Sequence, residues 1–132
     1  MHRNKSFCKL RIVVLGYIVR GPLGGLVWHH LQYVLGLKKM GHEVLFLEDS
    51  DNYASCYNPQ KDEMTTDPSY GIDFISTVFE QFGLVDQWAY YNEHISEWFG
   101  QPEKKVHEFC RNADILLNIS GVNPLRNFLM EI

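Results

Sequence analysis

The segment from Lys9 to Asp51 leaves the chain few folds to choose from. KLRIVVLG, residues 9–16, is a short β-branched run closed by glycine, the pattern of a strand buried on both faces of a parallel sheet. A bare loop follows, GYIVRGPLGG, with four glycines and a proline in ten residues. From Gly25 to Met40 the residues read as a helix, and Gly41 stands where a C′ glycine ends one. HEVLFL, residues 42–47, is a second strand, closed by the charged Glu48-Asp49-Ser50-Asp51. Strand, helix, strand is a right-handed crossover unit, so the fold class is α/β with a parallel sheet and flanking helices.

Beyond this unit the signals thin out. Asn52 to Thr66 is polar and reads as a long loop. Asp67-Pro68 marks a helix start, and Ile72, Ile75, Val78, Phe79 and Phe82 recur at helical spacing up to Gly83. The aromatic stretch Trp88–Tyr91 is open between strand and loop. Asn92 is placed to cap a short helix through Ile95, Trp98 and Phe99, ended by Gly100. Pro102 opens a further helix with Val106, Phe109 and Cys110 on one face. ILLNI, residues 115–119, is a third clear strand, and Asn123-Pro124 starts a last helix. Doubly wound domains usually carry about five or six strands. The expectation is therefore one Rossmann-like domain over residues 1–132, the N-terminal portion of something longer, with residues 1–8 a flexible lead.

Charge and cysteines bound the function. A net charge of -4 supplies no basic field, so nucleic acid is not an expected partner. Cys8, Cys56 and Cys110 share no metal-ligand spacing; they read as free thiols of a reducing cytoplasm, and no metal site is expected. The clean apolar run ends at Val19, before Arg20, far short of the roughly 20 residues that cross a bilayer. No transmembrane segment is expected.

Ligands of parallel α/β sheets sit beyond the carboxyl ends of the strands, where strand order reverses. The loop after the first strand reaches that edge. Gly21, Gly24 and Gly25 would let main-chain amides approach a phosphate or a sugar hydroxyl, and the helix that follows favours an anion at its N-terminus. The same glycines would also serve a plain tight turn. Gly16 and Gly21 have P-loop spacing, but Pro22 and Leu23 stand where lysine and serine or threonine belong. The loop is too long for a G-x-G-x-x-G fingerprint, although Glu48 ends the second strand where a ribose-binding acid would sit.

The order of strand, glycine loop, helix and then Lys39-Met40-Gly41-His42-Glu43-Val44 resembles the opening of GT-B glycosyltransferases, whose first helix starts on a Gly-Gly pair like Gly24-Gly25. The longer phrases GYIVRGPLGGLVWHHLQYVLGL and FLEDSDNYASCYNP are similar to a bacterial glycosyltransferase-like group. The resemblance implies the acceptor-side half of a two-domain enzyme. Its Gly-Gly loop reaches the diphosphate of a nucleotide-sugar held by a separate C-terminal donor-binding domain. The nucleotide-sugar is then a co-substrate and no other cofactor is needed. The isolated chain would be inactive.

The departure from that family concerns the catalytic histidine, which some members carry in the loop after the first strand. Tyr17 to Val27 has none. His30 falls on the apolar face with Leu26, Val34 and Leu37 and reads as a core histidine. His29, nearer Tyr33 and Gly36, is the candidate general base. Arg20 is either a phosphate ligand or a solvated side chain. Glu48, Asp49 and Asp51 either read sugar hydroxyls or form a charged strand end. Tyr53, Tyr57 and Trp88–Tyr91 either stack on a sugar or form core and interface. Ser120, Gly121 and Asn123 would face Gly24 if the third clear strand neighbours the first. Two rivals remain: an NAD(P)-binding oxidoreductase domain, and a non-catalytic Rossmann-like module that binds a partner or small ligand at the same edge.

Overall fold

The computed structural model describes residues 8–132. The expected flexible lead lies outside them except for Cys8, which is exposed. Among the described residues the chain is a mixed α/β fold built on a five-stranded, mostly parallel sheet. Strand β1 (Arg11–Leu15) leads through helix α1 (Gly24–Lys39) to β2 (Glu43–Asp49). A hairpin, β3 (Cys56–Asn58) and β4 (Glu63–Thr65), precedes α2 (Ser69–Gln81). Then come β5 (Trp88–Asn92), β6 (Glu97–Gly100), α3 (Glu103–Arg111), β7 (Ile115–Asn118) and α4 (Asn127–Met130). The main sheet runs in the order β6-β5-β2-β1-β7, with only the β5–β6 pair antiparallel.

This order follows from the handedness of crossovers. From β1 to β2 to β5 the sheet grows in one direction, so right-handed connections put α1 and α2 on the same face. Returning past β1 to β7 reverses the direction and puts α3 on the other. The core divides accordingly. Ile12, Val14, Val44, Phe46 and Tyr90 pack with α1 and α2 residues Val27, Leu31, Val34, Ile75 and Phe79. Val13, Leu15, Leu45, Leu47 and Ala89 pack with Val106, Cys110 and Leu129. Alternate strand residues thus face opposite layers, and each fully buried Leu, Val or Phe contributes about 1.5–3 kcal/mol of apolar transfer. The strand order reverses between β1 and β7, so the predicted ligand edge is formed by their carboxyl ends.

Three sequence expectations are corrected. The Asn52–Thr66 loop contains the β3–β4 hairpin, with Cys56 opposite Thr65. Residues 92–100 are not a helix: Tyr90 to Asn92 pair with Glu97 to Phe99 as an antiparallel ribbon. Asn92 does accept a backbone bond near its own position, from His94 N–H at 3.1 Å, but this closes an Asx turn instead of capping a helix. Trp98 and Phe99 then alternate across the ribbon, which a helical reading of the same apolar residues cannot distinguish over so short a span. Last, Pro124 does not open a helix. Residues 124–126 are not helical, Arg126 is extended, and α4 is a single turn.

Candidate functional site

The loop from Gly16 to Leu23 is fixed from beneath by Glu48. One carboxylate oxygen accepts the N–H groups of Ile18 and Val19, both at 2.8 Å, and the other accepts Arg20 N–H at 2.8 Å. Glu48 is fully buried. The amides after β1 do form an anion-binding concavity, and the chain fills it with its own carboxylate. Burial raises the Glu48 pKa to about 7, against the three amides and the Arg20 guanidinium, which pull it down. Glu48 is therefore not a strand-end acid turned toward a ribose or a sugar hydroxyl.

Arg20 is also not the solvated side chain that one reading expected. It is 1% exposed. Its guanidinium donates to the carbonyls of Asp49 (3.2 Å) and Val122 (3.3 Å) and to the Tyr53 hydroxyl. It lies near the Tyr17 and Tyr53 rings, with centroids at 5.3 and 5.4 Å. Its Nε is buried without a hydrogen-bond partner. A residue flanked by Val19 and Gly21 gives no sign in the sequence of so enclosed a position.

Asn123 closes the β1–β7 switch point. Its amide group donates to Gly16 carbonyl at 2.9 Å and its oxygen accepts Asp49 N–H at 2.9 Å. Ser120 Oγ lies 3.3 Å from the same amide nitrogen. β7 does neighbour β1, so these residues reach the expected edge, where they tie strand ends together. Asp49 is bonded bidentately by Arg126, at 2.6 and 2.9 Å, and Arg126 also pairs with Glu93. These bonds raise the Arg126 pKa. Asp51 takes a left-handed backbone conformation, φ 59°, and its carboxylate accepts Asn52 N–H.

The rest of the glycine loop divides in two. Gly21 is enclosed, with the Tyr17 ring and Leu26 where a Cβ would stand. Leu23, Gly24 and Gly25 are exposed, and nothing lies within 4 Å of a Cβ added at either glycine. Helix α1 begins there with no side-chain cap and no acidic residue in its first turn. Its first amides thus face outward with the positive end of the helix dipole.

No protein-family model, curated protein or solved structure matches the chain.

The two histidines separate as their spacing predicts. His30 is buried, with Nδ1–H donating to Leu26 carbonyl at 2.8 Å and Nε2 accepting Tyr17 N–H at 3.2 Å. Burial lowers its pKa, so the ring is a neutral hydrogen-bonding part of the core. His29 is exposed on α1, edge-on to Tyr33 at 5.6 Å. Trp88 and Tyr90 are core residues, Tyr53 is exposed beside Arg20, and Tyr57 donates to Asp62. Among the described residues no group of three or more His, Cys, Asp or Glu could hold a metal, and no helix is long and apolar enough to cross a membrane.

Proposed function

We propose that the chain is a Rossmann-like, N-terminal half of a GT-B glycosyltransferase, helping to transfer a sugar from a nucleotide-sugar to an acceptor. The donor would sit mainly on a separate C-terminal domain, and its diphosphate would meet the N-terminus of α1. The observation that carries this reading is the open start of α1, where Gly24 and Gly25 are uncovered and the helix lacks any cap of its own. A diphosphate supplies the negative charge and acceptor oxygens those amides lack. Such a site could stabilise a leaving diphosphate by main-chain dipoles alone. Gly21, Arg20, Glu48, Ser120 and Asn123 serve this reading as the frame that holds the loop. His29 is the candidate base, and the free thiols suit a cytoplasmic location.

The oxidoreductase alternative needs a strand-end acid for the ribose, and Glu48 is committed to the loop amides. The amide resonances of Gly24, Gly25 and Leu26 are expected to move on titration with inorganic pyrophosphate and with UDP-glucose. Gly25→Trp should abolish the response, and Gly36→Trp, on an open stretch of the same helix, should not. Pyrophosphate leaving all three amides unmoved would remove the basis for the reading. Tight NADH binding would replace it with the oxidoreductase.

A further inference from the structure

A second feature of the carboxyl edge lies away from the start of α1. Tyr91, at the end of β5, and Trp98, on β6, stack across the ribbon with centroids 4.8 Å apart. Phe128 of α4 comes within 6.1 Å of Trp98 and 4.5 Å of His107 on α3. These four half-buried rings, with Arg126 and Glu103, line a crevice of about 340 Å³. That is near the lower end for small-ligand pockets, about 300 Å³.

The local charge decides what the crevice can take. Arg126 lies over Tyr91, 5.1 Å from its centroid, and so occupies the face where a ligand cation would bind. It is already paired with Asp49 and Glu93, and Glu103, 4.0 Å from His107 Nε2, adds another carboxylate at the rim. Three carboxylates against one guanidinium repel a phosphate or carboxylate ligand. An uncharged ligand remains, with apolar C–H groups on a flat face for the rings and hydroxyls at its edge for Glu103, His107 and Arg126. We infer that the crevice bounded by Tyr91, Trp98, His107 and Phe128 binds an uncharged sugar ring. This site is separate from the start of α1 and does not depend on the transferase reading.

The test is a titration of the isotope-labelled chain with maltose, cellobiose and lactose, and with glucuronic acid as the charged control. The Trp98 indole N–H and the His107 ring signals are expected to shift with at least one neutral sugar. Affinity should be about millimolar, with glucuronic acid bound at least about tenfold more weakly. Trp98→Leu removes the stacking surface and should abolish the shift at His107. Glu103→Gln, on an exposed side chain 4.0 Å from His107 Nε2, should weaken binding severalfold, read at the Trp98 indole because the change itself moves the His107 signals. Because Gly24 and Gly25 amides are read in the same spectra, failure here is distinct from failure at α1. No shift at Trp98 or His107 with any neutral sugar at tens of millimolar overturns the inference, as does equal binding of glucuronic acid or unchanged binding by both variants.

Discussion

Glu48→Ala is expected to lower the stability of the domain by about 3–5 kcal/mol, seen as a fall in the urea midpoint with an unchanged slope. The cause is what the substitution leaves behind. Ile18, Val19 and Arg20 lose the buried acceptor of their N–H groups. The Arg20 guanidinium, itself buried, loses an opposite charge in its surroundings. Glu48→Gln retains one oxygen but must turn an amide donor toward an N–H group, so its cost should be smaller, about 1–3 kcal/mol. A loss no larger for alanine than for glutamine would contradict the account.

The same carboxyl predicts a pH dependence with a definite sign. Its folded pKa, about 7, lies above its ordinary value of 4.5, chiefly because of burial. The folded chain therefore binds this proton more tightly than the unfolded chain does. The contribution is fully present below about pH 4.5 and is lost as pH rises toward 7. His30 acts in the opposite sense, since its pKa is lowered and its contribution is lost as pH falls below its ordinary 6.5. His30 is common to the wild type and Glu48→Gln, so it cancels in their difference. The stability advantage of the wild type over Glu48→Gln should shrink steadily between pH 4.5 and 7, by about 3 kcal/mol for a shift of this size. An advantage that grows over that range would reverse the assignment.

How far such a site can be read from sequence depends on the distance over which its signals act. The β1–α1–β2 unit is legible because periodicity, a C′ glycine and β-branched runs all act within a few residues. His30 was legible for the same reason, since helical spacing alone puts it with Leu26 and Val34. Glu48 and Arg20 were placed on the right edge but given the wrong surroundings. Their partners lie 28 to 102 residues away along the chain, and nothing in FLEDSD distinguishes an acid facing solvent from one facing backbone amides. Asn123 shows the same limit, because its role as a tie between strand ends needs the β1–β7 neighbourhood to exist first. The ribbon at residues 88–100 was lost to a different ambiguity. Asn92, Trp98, Phe99 and Gly100 suit a capped helix or a hairpin equally well, and long-range pairing with β2 decides between them. With the ribbon misread, Trp98 could not be placed beside Phe128 and Arg126.

Gly71→Ala carries the other large effect, because it tests the glycine loop from above. Gly71 lies in the first turn of α2 against the backbone of Val19, one of the residues that Glu48 holds from below. A Cβ there would stand 2.7 Å from the Val19 carbonyl carbon and nearer still to its oxygen. Backbone on both sides cannot give way as the end of a flexible side chain can, so either α2 moves outward or the loop shifts. The expected cost is about 3 kcal/mol or more, at the upper end for overpacking. Gly36→Ala is the control: it fills open space on α1 and should stabilise by about 0.5–1 kcal/mol through helix propensity. Since Glu48 and Gly71 both bear on Val19, their effects should not add. The double variant is expected to lose less than the sum of the two singles by about 0.5–3 kcal/mol, because a loop already released by one change no longer resists the other. Strict additivity would mean that α2 and β2 hold the loop independently. The start of α1 is then framed by two separate contacts instead of by one clamped segment.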